Sequence, residues 1–307
     1  MMGHYLALVR RELWEHRSIF VTPIVIGVIV TLGTLTALIF VGEFQKELDL
    51  AIFGAQNVAG EFERRAALTA FYGGTSWLFL LGLGVLTVFY ALDSLYAERK
   101  DKSILFWRSL PVTDAETVIS KLLTAVVLIP AVAIAGIILT HLVNLVITSI
   151  WVASKGGNAG LLIWGSVPFF DNWMATVLVI YASAIWLSPF VGWFLFVSAW
   201  TRRAPFMVAF LPLVLIPMIE GIFLRSAHFA EAVWGRSAKI PIFQANIDIE
   251  GFFDEDSLHM MSEEMVSLLA HLDLGRFFSS VDTWIGIVVC GLLTTAAIYV
   301  RRYRDES

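Results

Sequence analysis

Long apolar runs alternate along the chain with short stretches dense in charge. Six runs reach the roughly 17–25 residues of a bilayer crossing: 19–41, 74–96, 121–151, 173–200, 206–223 and 284–300. The first holds thirteen Val, Ile, Leu and Phe residues between Val21 and Val41, worth roughly −4 to −8 kcal/mol on an insertion scale. It inserts, and with no clean cleavage site after it, it is read as retained. The third run is longer than a bilayer needs, so it is expected to tilt or protrude. Pro189 interrupts the fourth, and Pro212 and Pro217 are expected to break the fifth. Residues 3–17 set His4, Tyr5, Leu6, Leu8, Val9, Leu13 and Trp14 against Arg10, Arg11, Glu12, Glu15 and Arg17 at helical spacing. They read as an amphipathic helix lying in the interface, or as an extension of the first span. Two polar segments remain, near 43–70 and 225–280, with Gly73 and Gly74 a flexible start to the second span. The pattern predicts an all-α integral membrane protein, one transmembrane domain over residues 1–307, with a small helical segment between spans five and six.

Composition agrees. Of 307 residues, 58% are hydrophobic and 15% charged, with a mean hydropathy of +0.78, where soluble domains carry nearer 25% charge. The net charge of −5 matters less than where the cations sit. Thirteen of the 21 Lys and Arg residues fall at one set of helix ends: Arg10, Arg11, Arg17, Arg99, Lys100, Lys102, Arg108, Lys121, Arg202, Arg203, Arg301, Arg302 and Arg304. The positive-inside rule therefore places both termini and the 98–114 loop in the cytoplasm. No basic stripe marks a nucleic-acid surface. The single cysteine, Cys290, excludes an intrachain disulfide framework and a cysteine zinc site.

Polar residues inside apolar runs are the next candidates. Asp93 falls near the inner interface and is expected to pair with a nearby cation. His141 and Asn144 lie one turn apart on the third span, so they either line a path or join helices. Glu220 follows Pro212 and Pro217; it sits at a surfaced helix end or lines a wet, re-entrant turn. The acidic 254–256 run and Glu263-Glu264 lack the ligand spacing of a calcium loop. With Leu258, Met261, Met265, Leu268, Leu269 and Leu272, they read as a short amphipathic helix over an external mouth.

The loop between spans two and three is the most informative stretch. A collar of both signs, Glu98-Arg99-Lys100-Asp101-Lys102, leads into Ile104, Leu105, Phe106 and Trp107. Leu110-Pro111-Val112-Thr113 then opens a helix, with Thr113 or Asp114 as N-cap and Glu116 in its first turn. Apolar side chains on the water side need a partner surface or lipid. This run, Glu-Arg-Lys-Asp-Lys-Ser followed by Trp-x-Ser-Leu-Pro-Val, resembles the permease subunits of ABC-type exporters of the second class. That resemblance implies a bacterial inner-membrane protein with an N-terminal elbow helix, paired with a second permease copy. It also implies a separate cytoplasmic ATPase that holds ATP and Mg, since this chain has no G-x-x-x-x-G-K-(S/T) loop and no cofactor of its own is expected. Glu98, Arg99, Asp101, Lys102, Phe106, Trp107, Leu110, Pro111, Val112 and Thr113 would meet that ATPase. A membrane-embedded enzyme would need a catalytic constellation that is not evident. A non-transporting anchor or immunity protein would not need the apolar loop.

Overall fold

In a computed structural model, residues 2–53, 58–104, 112–243 and 268–303 are described. They form α1 (Met2–Glu15), α2 (Ser18–Phe40), α3 (Gly42–Phe53) and α4 (Val58–Lys100). Beyond the loop follow α5 (Asp114–Ser154), α6 (Phe169–Trp186), α7 (Ser188–Trp200) and α8 (Pro205–Leu224). The chain closes with α9 (Leu274–Ser279) and α10 (Val281–Tyr303). Among the described residues six helices are long and apolar enough to cross a membrane: α2, the 67–100 part of α4, α5, α6, α8 and α10. Their outer faces carry exposed Ile24, Val28, Ile29, Leu211, Ile222, Val288 and Leu292, a surface suited to hydrocarbon.

Two helices overshoot the membrane. α4 and α5 run 43 and 41 residues, roughly 60 Å each, against a hydrocarbon core about 30 Å thick. At one end, the basic end, they meet α1, α7 and α10 around Val118, Val191, Leu195 and Ala297. At the opposite end they form a second core with α3 and the π-helical turn Gly160–Trp164, around Ile52, Leu68, Leu145 and Ile163. Close approach between α2, α4 and α5 depends on glycine. A Cβ on Gly136 would stand 2.9 Å from Pro23 Cβ and 3.1 Å from Phe79 Cε1, so only a bare backbone fits.

Several local expectations are corrected. α4 runs unbroken through Gly73 and Gly74, because Leu68, Tyr72, Thr75, Ser76 and Phe79 are buried around them and outweigh the roughly 1 kcal/mol cost of each glycine. Pro212 and Pro217 lie inside a continuous α8, which loosens only into a π-helical turn at Glu220–Leu224. Neighbouring contacts and local adjustment absorb a proline in a membrane helix. The fourth apolar run does split, at Leu187, into α6 and α7. Pro189 has no N–H to give, and Phe190 N–H turns to the Leu187 carbonyl at 3.0 Å instead. α5 accommodates Pro130 with a π-helical turn at Thr124–Leu128. The amphipathic helix expected around 254–272 lies outside the described residues, apart from the 3₁₀ turn Leu268–His271.

Candidate functional site

The end of α4 and the start of α5 are separated by the loop and rejoined by charge. Thr113 is the N-cap of α5: Glu116 N–H donates to its Oγ1 at 3.2 Å, and Thr113 N–H donates to Glu116 Oε2 at 2.8 Å. This capping box fixes the first turn and so places Asp114, Thr117 and Lys121. Thr117, Lys121 and Thr124 share a buried face, which carries Lys121 into the bundle at 0% exposure.

Lys121 Nζ lies 3.0 Å from Oε1 of Glu12 on α1 and 3.0 Å from Oε1 of Glu98 on α4. Arg11 Nη2 repeats that bridge, 2.8 Å from each of the same two carboxylates. Arg301 on α10 donates from Nη1 to Glu98 Oε2 at 2.7 Å and from Nε to Asp114 Oδ1 at 2.9 Å. Tyr90 completes the shell, its hydroxyl donating to Glu12 Oε2 at 2.8 Å. Three carboxylates, Glu12, Glu98 and Asp114, thus face three cations, Arg11, Lys121 and Arg301. Buried ions hold together only when paired and hydrogen-bonded, and here each one is. Burial works against ionisation of Glu12, but the Lys121 ammonium and the Arg11 guanidinium outweigh it and hold the carboxyl below its ordinary range. At the cluster's edge burial has the upper hand, raising Glu15 and lowering His16. His16 packs edge-on to the Tyr90 ring at 4.8 Å.

The cluster changes the roles of the collar. Glu98 is 5% exposed and engaged within the chain, so it is not a rim charge. Arg99 turns inward as well, donating to the backbone carbonyls of Ser198 and, at 2.7 Å, Thr201. Ser198 Oγ accepts from the N–H groups of Leu95 and Tyr96 at 3.1 and 3.0 Å, so α4 and α7 are stitched side by side. Asp101 and Lys102 are exposed, and Lys102 takes a left-handed backbone, φ 56°, that turns the chain off α4. Ile104 is buried. Phe106, Trp107, Leu110 and Pro111 lie outside the described residues. Val112 is half-buried and Thr113 exposed.

The remaining candidates lie far from this cluster. Trp173 Nε1–H donates to His141 Nδ1 at 3.1 Å, which leaves the ring proton of neutral His141 on Nε2, facing Thr75 Oγ1 at 2.9 Å. The Thr75 hydroxyl donates in turn to the Tyr72 carbonyl at 2.8 Å. Asn144 Nδ2 donates to Thr31 Oγ1 at 3.3 Å and to the Thr140 carbonyl at 2.8 Å. Both residues therefore join helices: His141 ties α5 to α4 and α6, Asn144 ties α5 to α2. Glu220 closes a turn. Its carboxylate accepts from Ser226 Oγ at 2.8 Å and from the N–H groups of His228 and Phe229 at 2.8 and 2.9 Å, after Arg225 reverses the chain at φ 49°. Asp93 is exposed and forms no salt bridge among the described residues, in contrast to the ion pair expected for it; its charge acts on His16 at the cluster's edge.

Glu12, Lys121 and Arg301 are the residues that the sequence pattern left unassigned. Lys121 carried a signal, a lone cation on the same face as Thr117 and Thr124 within an otherwise apolar helix. No curated protein and no solved structure matches the chain. Residues 67–226, just over half of it, match the family described as ABC-2 family transporter protein. The matched stretch holds α4 from Ala67, the loop and all of α5, so it contains Glu98, Asp114 and Lys121, while Glu12 and Arg301 close the cluster from outside it. With the six membrane helices, that match settles the family: the chain belongs to the ABC-2 family of transporter proteins.

Proposed function

We propose that the chain is the membrane-spanning permease of an ATP-driven exporter, working as a pair of copies with a separate cytoplasmic ATPase that binds ATP and Mg. The basic end faces the cytoplasm of a bacterial cell, with both termini there, as the distribution of Lys and Arg supports. The 98–113 loop meets the ATPase. Phe106, Trp107 and Leu110 supply the anchoring side chains, since aromatics dominate interface energetics. Pro111 stiffens the return to α5, and Val112 and Thr113 begin it. Asp101 and Lys102 orient the encounter, because rim charges set register more than affinity. Glu98 and Arg99 have a different task, holding the base of the loop to the bundle.

One observation carries this reading: Arg301 binds both ends of the loop, Glu98 and Asp114, at 2.7 and 2.9 Å. A push on the loop then reaches α4 and α5 together, α10 through Arg301, and α1 through Glu12. A loop left unbraced at its base would bend locally and transmit little. The test is recovery of the ATPase with tagged permease from membranes. Trp107→Ala or Leu110→Asp is expected to insert normally and to weaken recovery by about 2 kcal/mol or more where the side chain is a hot spot. Unchanged recovery in both variants, at normal membrane levels, refutes the docking role.

A further inference from the structure

α1 packs on the bundle by one face and leaves the other open. Leu8 and Glu12 are buried, and Arg11 turns to Glu12 and Glu98. On the open side stand Arg10, Trp14 and Arg17, at i, i+4 and i+7, each exposed. Helical bonding runs on from α1 to His16, whose N–H donates to the Glu12 carbonyl at 2.9 Å. It resumes where Val21 N–H donates to the Arg17 carbonyl at 3.1 Å. Arg10 lies over the Trp14 indole, its Cζ 5.0 Å from the ring centroid, a cation–π contact that keeps the guanidinium beside the ring. Neither Arg10 nor Arg17 forms an ion pair among the described residues, and the Trp14 Nε1–H has no hydrogen-bond partner there.

The chemistry along this edge changes once, at the start of the first membrane helix. Before Ser18 it is cation and indole. From Val21 the same spacing continues through Ile24 and Val28, all exposed aliphatic side chains. An edge facing water alone has no use for an indole that is 70% exposed. A soluble acidic partner would meet the cations and leave the aliphatic half bare. A second copy related by a two-fold axis through this edge would set Arg10 and Arg17 against their own counterparts, a like-charge contact that is costly. A membrane phospholipid matches the order of the groups: charge first, an indole at headgroup level, then hydrocarbon. An anionic one matches the sign. The neighbouring acid Glu15 is turned to Arg11 Nε at 3.4 Å, and even with Asp93, whose charge reaches His16, the edge keeps an excess of cation.

We propose that Arg10, Trp14 and Arg17 form a site for an anionic phospholipid in the leaflet at the basic end. The two guanidiniums take the phosphate, which suits their paired N–H donors. Trp14 Nε1–H donates to a headgroup or glycerol oxygen, and an acyl chain follows Val21, Ile24 and Val28. The lipid fastens α1 to α2 from outside, while Glu12 and Arg11 fasten α1 to the bundle from inside. The site rests on the membrane helices, and needs neither the ATPase nor a cytoplasmic orientation.

The test titrates the full-length chain, purified in a neutral detergent, with phosphatidylglycerol and separately with phosphatidylcholine. Native mass spectrometry reads the bound lipid. One cation near a membrane surface favours an anionic lipid by roughly five-fold, so the wild type is expected to prefer phosphatidylglycerol by about five-fold or more. Arg10→Gln with Arg17→Gln is expected to bring the two lipids to equal binding, and Arg10→Lys with Arg17→Lys to keep part of the preference. Arg202→Gln with Arg203→Gln removes two exposed cations elsewhere at the basic end and is expected to keep all of it. Equal binding of both lipids by the wild type overturns the proposal. So does a preference that survives Arg10→Gln with Arg17→Gln, or one lost equally in the Arg202 and Arg203 variant. The same spectra count chains: a dimer that parts on the Arg10 and Arg17 change, with lipid preference unmoved, assigns the edge to a second copy instead. Should that variant fail to accumulate, the wild type decides: high salt is expected to erase the preference, and a preference unmoved by salt refutes the site.

Discussion

Replacing Lys121 by Met removes one cation from a neutral set of six and keeps the side-chain length. Glu12 and Glu98 then face each other with Arg11 as the only cation among the described residues that bridges them, at 2.8 Å from each, and the cluster carries a net negative charge. Removing one member of a buried ion pair costs about 3–5 kcal/mol. The surviving Arg11 bridge places Lys121→Met at the lower end, about 3 kcal/mol. On the scale of soluble domains this lowers the melting temperature by about 5–10 °C, readable in detergent as loss of the monodisperse peak after heating. The second half of a cycle separates charge from packing. Glu12→Gln with Lys121→Met restores neutrality, and Gln can still accept from Tyr90, so the double variant is expected to recover most of the loss. A coupling energy of about 1.5 kcal/mol or more is expected, inside the range for contacting residues. Full stability in Lys121→Met, or a double variant as weak as the sum of its parts, would refute the claim that this cluster holds the basic end together.

Two further outcomes follow from the same geometry. Glu220→Gln leaves one carboxamide oxygen for three donors, so the turn at 225–235 is expected to loosen. Faster limited proteolysis or hydrogen exchange there, at normal membrane levels, is the readout, and unchanged protection contradicts it. The His16 pKa is lowered by burial, so the unfolded chain takes up a proton first as pH falls through about 6.5. The stability that neutral His16 contributes is therefore present above that pH and lost below it. Melting temperatures of His16→Gln and wild type, compared at each pH from 8 to 5, should diverge least at the acid end. Glu15, whose raised pKa works in the opposite sense, cancels in the difference.

The sequence made the helices legible because lipid leaves little choice: a long apolar run must close its own backbone bonds. It singled out the loop because charge beside tryptophan between two apolar runs needs a reason, and the role of that loop is the proposal made above. It misjudged Pro212 and Pro217, since a breaker's effect depends on what packs around it. The cluster was hidden for another reason. Glu98 and Arg301 are separated by 203 positions, Glu12 and Lys121 by 109, and no local pattern reports which ends of which helices meet. Counting cations by loop put Lys121 and Arg301 at the same set of helix ends but treated them as surface charge. The same limit applied to His141 and Asn144: their shared face was readable, their partners Trp173 and Thr31 were not.

The cluster is the proposed joint between loop and helices, and Arg301→Met tests that joint without touching the proposed ATPase surface. The measurement is ATPase recovery and ATP-dependent export in the same membranes, with Trp107→Ala beside it. Trp107→Ala is expected to lose the ATPase, while Arg301→Met is expected to keep the ATPase and its ATP turnover but lose export. Export at wild-type rates in Arg301→Met, with the protein at normal levels, would contradict it.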